Sequence, residues 1–437
     1  MGVALVAEPL RARTPEPGLK NRVAALRDCH ARIWASTRAE LPELGPETGL
    51  WTHRVNARAA ARLIDELAAE VDRMPEESRE RTAWQAAVRD RLQDFGAARL
   101  GWPSGYRRLL FAEDFYAAAR AFAREARACH PELPLDSLWQ ALRNVLIGNS
   151  LQMLLDRKVA LGPGLFAYSM LYPLTDNLLD DPRIPTGAKR AFNERFGRRL
   201  AGRPVGVSGP SDAAVFDLVA RIEGEFPRAR FEDVYESLLA IHRGQVRSLA
   251  QQDDPRLTDD EILAISCEKG GSSVLADLYL VSGRASASEE RFAFGYGVFL
   301  QLLDDLQDVA PDLDAGHQTL FTRATRRGPL DEPTARLARF IDRVLDGGDT
   351  LSGPAHAERK DLIRRNCRTL LVGAIFEQPG RFTRRFRRAV ERQWPFSARS
   401  LRRLRRRAER RGRGAAVSLQ RRTGAPSLLD LALASDG

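Results

Sequence analysis

Between residues 299 and 308 the chain reads FLQLLDDLQD, with Asp304, Asp305 and Asp308 set into an apolar, helix-patterned run. A second group, YPLTDNLLDD at 172 to 181, carries Asp176, Asp180 and Asp181. Residues four apart share a helix face, so Asp304 with Asp308, and Asp176 with Asp180, are pairs of carboxylates one turn apart. Such a pair costs only about 0.2–0.5 kcal/mol on an exposed helix, so a solvated helix end accounts for either group taken singly. The two together ask for more, because Leu178, Leu179, Phe299, Leu302 and Leu303 give both helices an apolar side. Acids on the core side of a helix require a counter-charge. A hard divalent cation supplies one: Mg²⁺ takes oxygen ligands, keeps several waters and is shared between carboxylates and phosphates. Two facing acid groups loaded with Mg²⁺ become a trap for diphosphate and a means of stabilising it as a leaving group.

The elements that must position these acids are helices. Apolar residues recur at three and four positions through 55–73, 84–98, 112–127, 135–156, 164–180, 212–222, 232–251, 259–282, 287–308 and 333–346, and strand-like alternation is scarce. Thr258 followed three residues later by Glu261 is a capping box. Breaks fall at GPG (162–164), DDPRIPTG (180–187), GRPVGVSGPSD (202–212) and GGDTLSGP (347–354). The expectation is an all-α protein with a helical bundle over 49–375, a flexible arm over 1–48 that ends in one short helix, and an Arg-rich tail over 376–437.

The totals agree with a globular chain: 437 residues, 43 % hydrophobic, 29 % charged. The net charge of +10 is unevenly placed. Residues 381–422 hold 17 Arg against only Glu391 and Glu409, more than the whole excess, so the rest of the chain is mildly acidic. A solvated tail and contact with an anionic membrane surface both suit that composition; nucleic acid suits it less, because aromatics are sparse among the arginines and no recognition motif accompanies them. Cys29, Cys129, Cys267 and Cys367 are too scattered for a disulfide framework or a zinc site and read as solitary buried thiols. No run approaches the roughly 18 apolar residues of a membrane span, and the amino terminus has too short an apolar stretch for a secretory signal, so the expectation is a cytoplasmic protein.

Several motifs then stand in order. Gly244-Gln245 lies in IHRGQVRSLAQQ, Lys269 in ISCEKGG, the Phe299, Gln301, Asp304, Asp305, Asp308 series in FLQLLDDLQD, and Gly316-His317-Gln318-Thr319 in DAGHQTLF. In this order and spacing, residues 164–321 resemble the all-trans isoprenyl diphosphate synthases, within the wider class I isoprenoid synthase fold. The resemblance implies a helical bundle with a central cavity between two facing aspartate-rich helices, about three Mg²⁺, an allylic prenyl diphosphate substrate and a homodimer. It assigns metal binding to Asp176, Asp180, Asp181, Asp304, Asp305 and Asp308, and diphosphate contacts to Arg183, Lys269 and His317. Lys269 and Gln301 become catalytic, and Tyr168, Tyr172, Gln245 and Phe299 line the substrate pocket. For Gln245 and the tyrosines ordinary packing remains open on residue type alone.

The departures decide the expected outcome. Asn177 stands where the family has an Asp, and DPRIPTG replaces the basic stretch after the first acid group. No G-K-R-x-R-P clamp for a second diphosphate precedes Asp176; Arg143, Arg157 and Lys158 do not match it. Ionisation of one allylic diphosphate, followed by cyclisation or quenching as in terpene synthases, is therefore favoured over elongation with isopentenyl diphosphate. A non-catalytic prenyl-diphosphate-binding protein is the third reading.

Overall fold

The computed structural model describes residues 18–75, 78–103, 105–106, 109, 112–180, 183–249, 251, 256–347 and 354–423. Among them the regular structure is helical throughout. In chain order the helices are α1 (Leu19–Ala35), α2 (Leu50–Asp72), α3 (Ser78–Leu100), α4 (Glu113–Cys129), α5 (Leu135–Leu154), α6 (Pro163–Asp180), α7 (Thr186–Leu200), α8 (Pro210–Glu225) and α9 (Glu232–Ser248). They continue with α10 (Asp259–Ser282), α11 (Ala287–Gln307), the short α12 (Val309–Asp314) and α13 (Leu320–Thr325), then α14 (Asp331–Asp346), α15 (Pro354–Glu377), α16 (Arg384–Arg392) and α17 (Ala398–Thr423).

Helix α10 is the axis of the bundle. It packs against α1, α5, α6, α9 and α11, and nearly every position from Ile262 to Leu280 is buried. A helix apolar on all sides has to be surrounded. Its ends are written locally: Thr258 and Glu261 form the reciprocal capping box at the start, and Gly283, at φ 69°, closes the end in the left-handed region that glycine adopts without strain. Ser286 and Glu289 cap α11 in the same way.

Side-chain pairs along these helices give their directions. Ser266 meets Asp305 and Tyr279 meets Glu290, so α10 and α11 are antiparallel. Asn144 of α5 bonds both Ser169 of α6 and Asp277 of α10, and Tyr172 of α6 meets Ser273, so α6 is antiparallel to α10 as well. Helices α6 and α11 thus run the same way. Their carboxyl-terminal ends, the two acid-rich segments, lie at one end of the bundle on either side of α10.

Glycines set how closely these helices approach. A Cβ built on Gly297 of α11 would fall 2.1 Å from the carbonyl oxygen of Gly270 on α10, and one built on Gly244 of α9 would fall 3.0 Å from the Cα of Lys269. Backbone meets backbone on both sides of residues 269–270. Gly244 therefore has a packing reason of its own to precede Gln245.

The folded body extends further in both directions than 49–375. Within the segment expected to be an arm, α1 packs on α10, and the Arg22 guanidinium bonds Asp233 (2.9 Å), Tyr279 (3.2 Å) and Glu290 (3.0 Å), tying it to α9, α10 and α11. Beyond residue 376, Phe382, Phe386, Val390 and Phe396 are buried. Helix α17 lies beside α2, where Arg407 and Arg411 pair with Asp65. The arginines favour a helix here because Leu401 and Leu404 turn inward while Arg399, Arg403, Arg406, Arg410 and Arg413 keep their charges in water. Among the described residues no helix is long and apolar enough to cross a membrane.

Candidate functional site

Asp304 and Asp308 occupy the last turn of α11, where the chain bends at Asp308 into α12 and brings Asp312 beside them. A helix carboxyl terminus is the negative end of the helix dipole, so three acids there raise one another's cost of ionisation. Water reaches the Asp304 carboxylate, yet its pKa is raised, chiefly by desolvation, with Asp312 adding to the rise. Asp308 is raised by desolvation and by the charges of Asp304 and Asp312.

Two cations oppose these shifts. Lys269, half-buried on α10, lowers the pKa of Asp304, and Arg143, exposed on α5, lowers those of both Asp304 and Asp308. Arg143 fits no spacing motif, and nothing in its own neighbourhood in the sequence marks it; the α5–α10 packing is what brings it here. Arg157 lies at the other end of the bundle, 3.4 Å from Glu289 at the start of α11.

Asp305 differs from its neighbours. It is buried, with Oδ1 accepting from Gln301 Nε2 at 2.8 Å and Oδ2 from Ser266 Oγ at 3.1 Å. Burial pushes its pKa up to about 7 against those two hydrogen bonds and Lys269. The Ser266 bond ties α11 to α10 while the Gln301 bond stays within α11, so both oxygens of Asp305, expected among the metal ligands, are taken up by protein partners. Gln301 is correspondingly an anchor for Asp305. Ser266, which sequence reasoning missed, is its third member.

His317 joins the edge through Asp312, with Nδ1 3.2 Å from Asp312 Oδ1 and its backbone N–H on the Asp312 carbonyl. The loop that carries it is pinned: Gln318 N–H donates to the Gln251 carbonyl, Gln251 Nε2 donates to the Gln318 carbonyl, and Arg323 holds the Gln318 side chain at 2.7 Å. Across α10, Tyr172 bonds Ser273 Oγ at 3.0 Å and Tyr168 bonds the Ser273 carbonyl at 3.2 Å, the two rings meeting edge to face. One turn further along α6 the backbone reaches position 176, while one turn back along α10 it reaches Lys269. The side chains of Asp176 and Asp180 and the whole of Asp181 lie outside the described residues. Arg183 is exposed in the turn that follows, and Gln245 is half-buried on α9. Phe299, expected in the substrate pocket, has no accessible surface and belongs to the hydrophobic core, because its helix turns that face into the bundle.

Carboxylate oxygens such as those of Asp304 and Asp308 suit a hard cation such as Mg²⁺. Among the described residues no three His, Cys, Asp or Glu side chains come together as a group that could hold a metal ion.

These features define a helical bundle with an acid-rich, cation-flanked end. No protein-family model matches the chain, and no curated protein does. Among solved structures it is similar to a geranyltransferase from Legionella pneumophila, with 13 % identity over 63 % of this chain and all of that one, at a TM-score of 0.38. A likeness this loose leaves the chemistry to be read from the residues.

Proposed function

We propose that the chain is a Mg²⁺-dependent enzyme of the class I isoprenoid type that ionises an allylic prenyl diphosphate and releases pyrophosphate. The observation that supports this reading is that α6 and α11, both packed on α10 and both antiparallel to it, end at the same end of the bundle. Asp304 and Asp308, with Asp176, Asp180 and Asp181 from α6, would hold the metal, about three ions on the family's pattern. Bound there, Mg²⁺ neutralises charge on a departing diphosphate. Lys269 and Arg143 would donate charge-assisted hydrogen bonds to phosphate oxygens. Gln301 and Ser266 hold Asp305, and through it the α10–α11 spacing that sets Lys269 against Asp304. The Tyr168 and Tyr172 rings lie below, where π faces stabilise a developing cation by about 0.5–2 kcal/mol each.

Cyclisation or quenching is the favoured outcome, because no second-diphosphate clamp stands before Asp176. The position of Arg143 favours elongation with isopentenyl diphosphate as the second reading, since it supplies a cation where a second anion would need one. Purified protein with Mg²⁺ and C10, C15 or C20 allylic diphosphates, with and without isopentenyl diphosphate, separates them. Pyrophosphate release from the allylic substrate alone is expected; turnover only with both substrates selects elongation, and no turnover with any of them overturns the enzyme reading.

A further inference from the structure

A concavity with a volume of about 990 Å³ lies between α2, the end of α3, α15 and the start of α17, and none of the residues of the acid-rich end lines it. That is the upper end of the range for small-molecule sites. Its walls are largely apolar, with Leu44, Trp102, Leu362, Phe376, Trp394 and Phe396 prominent. The charged residues among them are five arginines, Arg99, Arg365, Arg368, Arg402 and Arg405, against the single Glu377. We propose that this cavity binds one amphiphile with an apolar chain and an anionic phosphate or carboxylate head.

Four of the arginines are already engaged. Arg365 bonds Asp361 at 2.9 Å, Arg368 bonds Asp342 at 3.3 Å, Arg402 donates to the Phe376 carbonyl at 3.2 Å, and Arg405 pairs with Glu377. Arg99 is different. It is half-buried at the end of α3 and makes no hydrogen bond or ion pair among the described residues. A guanidinium held against apolar walls without a partner is complementary to an anion, which it can grip with two parallel N–H donors. Wall and charge together specify a chain with an anionic head; a neutral lipid would leave Arg99 unanswered, and a bare anion would leave the walls wet.

The α15 face of the cavity is the stripe Leu362, Asn366, Thr369, Gly373 and Phe376, at alternating spacings of four and three. Gly373 interrupts an otherwise good helix, at a cost of about 1 kcal/mol relative to Ala. A Cβ there would meet nothing within 4 Å, so no close packing requires the glycine. It keeps the wall recessed.

The test is binding of 11-(dansylamino)undecanoate to the full chain, read by energy transfer from Trp102 and Trp394. Saturable one-to-one binding is expected, displaced by dodecyl phosphate but not by equal concentrations of dodecanol or inorganic phosphate. Gly373→Phe, which fills the cavity, should weaken binding at least tenfold, and Arg99→Glu about tenfold. Asp304→Asn should leave it unchanged, which separates this site from the acid-rich end and from the function proposed there. Displacement by dodecanol as strong as by dodecyl phosphate, displacement by inorganic phosphate, or loss of binding in Asp304→Asn would overturn the proposal. So would wild-type affinity in Arg99→Glu, a variant that decides the matter even if Gly373→Phe fails to fold.

Discussion

Gly297→Ala is a one-carbon change at the point where α10 and α11 touch. The added Cβ would lie 2.1 Å from the Gly270 carbonyl oxygen, about 1.3 Å short of ordinary van der Waals contact. Because the opposing atom is backbone, no rotamer relieves the clash, and the helices have to part by on the order of 1 Å. Overpacking of this kind costs about 1–3 kcal/mol. The same displacement stretches the Ser266–Asp305 hydrogen bond from 3.1 Å past bonding distance, which costs about 1.5 kcal/mol more for a bond to a charged or partly charged group. A loss of about 2.5–4.5 kcal/mol, which over a chain of 437 residues is a fall in Tm of roughly 3–5 °C, is expected by calorimetry or circular dichroism. Gly373→Ala is the control: it is the same substitution inside a helix, but its Cβ meets open space, so helix propensity alone should stabilise it by up to about 1 kcal/mol. If Gly297→Ala melts within 1 °C of the wild type, the backbone contact does not hold the two helices in register, and the role given to Asp305 falls with it.

Other outcomes follow from the same geometry. Arg22→Ala should cost about 3 kcal/mol, read as a drop in Tm, because it strands the buried Glu290; a loss under about 0.5 kcal/mol would mean α1 is not tied to the bundle. Asp277 is fully buried with its pKa raised well above the usual carboxylate range by desolvation, so the native state holds a proton the unfolded chain releases. Its contribution is fully present below the ordinary carboxylate pKa and is lost as pH rises through the folded value; Asp277→Asn should flatten that decline in a Tm-against-pH series, and an unchanged slope would contradict it. Gln378 donates to the Leu306 and Gln307 carbonyls at the end of α11 at 2.7 and 3.1 Å, so Gln378→Ala should lower stability by about 1 kcal/mol in the same melts. Asp304→Asn and Asp308→Asn should each reduce pyrophosphate release about 100-fold or more without lowering Tm, and full activity in both would remove them from the site.

Much of the helical framework was legible because its signals are local. The capping box at Thr258, the apolar period through α10 and α11, and the four-residue spacing of Asp304 and Asp308 depend only on near neighbours in the chain. Where one signal served two ends, reading was less complete. Phe299 reads as a pocket residue and Gln301 as catalytic, yet Phe299 is buried in the core and Gln301 bonds Asp305, while Gly244, beside the pocket residue Gln245, is a helix contact. A residue type at helical spacing names a face, and only the neighbouring helix says whether that face meets a cavity or a wall. The arm and tail failed for a related reason: the Arg22 partners lie on three helices far along the chain, and α17 finds its partner, Asp65, on a helix hundreds of residues earlier.

By itself the sequence determined that this chain is helical, where several of its helices begin, and that two acid groups stand at helix ends within a mildly acidic body. Those follow from hydrophobic periodicity and side-chain to backbone hydrogen bonding, which act over a few residues. Tertiary structure alone decided that the two acid ends share one end of the bundle, that Arg143 faces Asp304 and Asp308, that Asp305 turns inward, and that an arginine-lined cavity opens beside α15. Those depend on helix direction and on how near glycines let backbones approach, which no local pattern encodes.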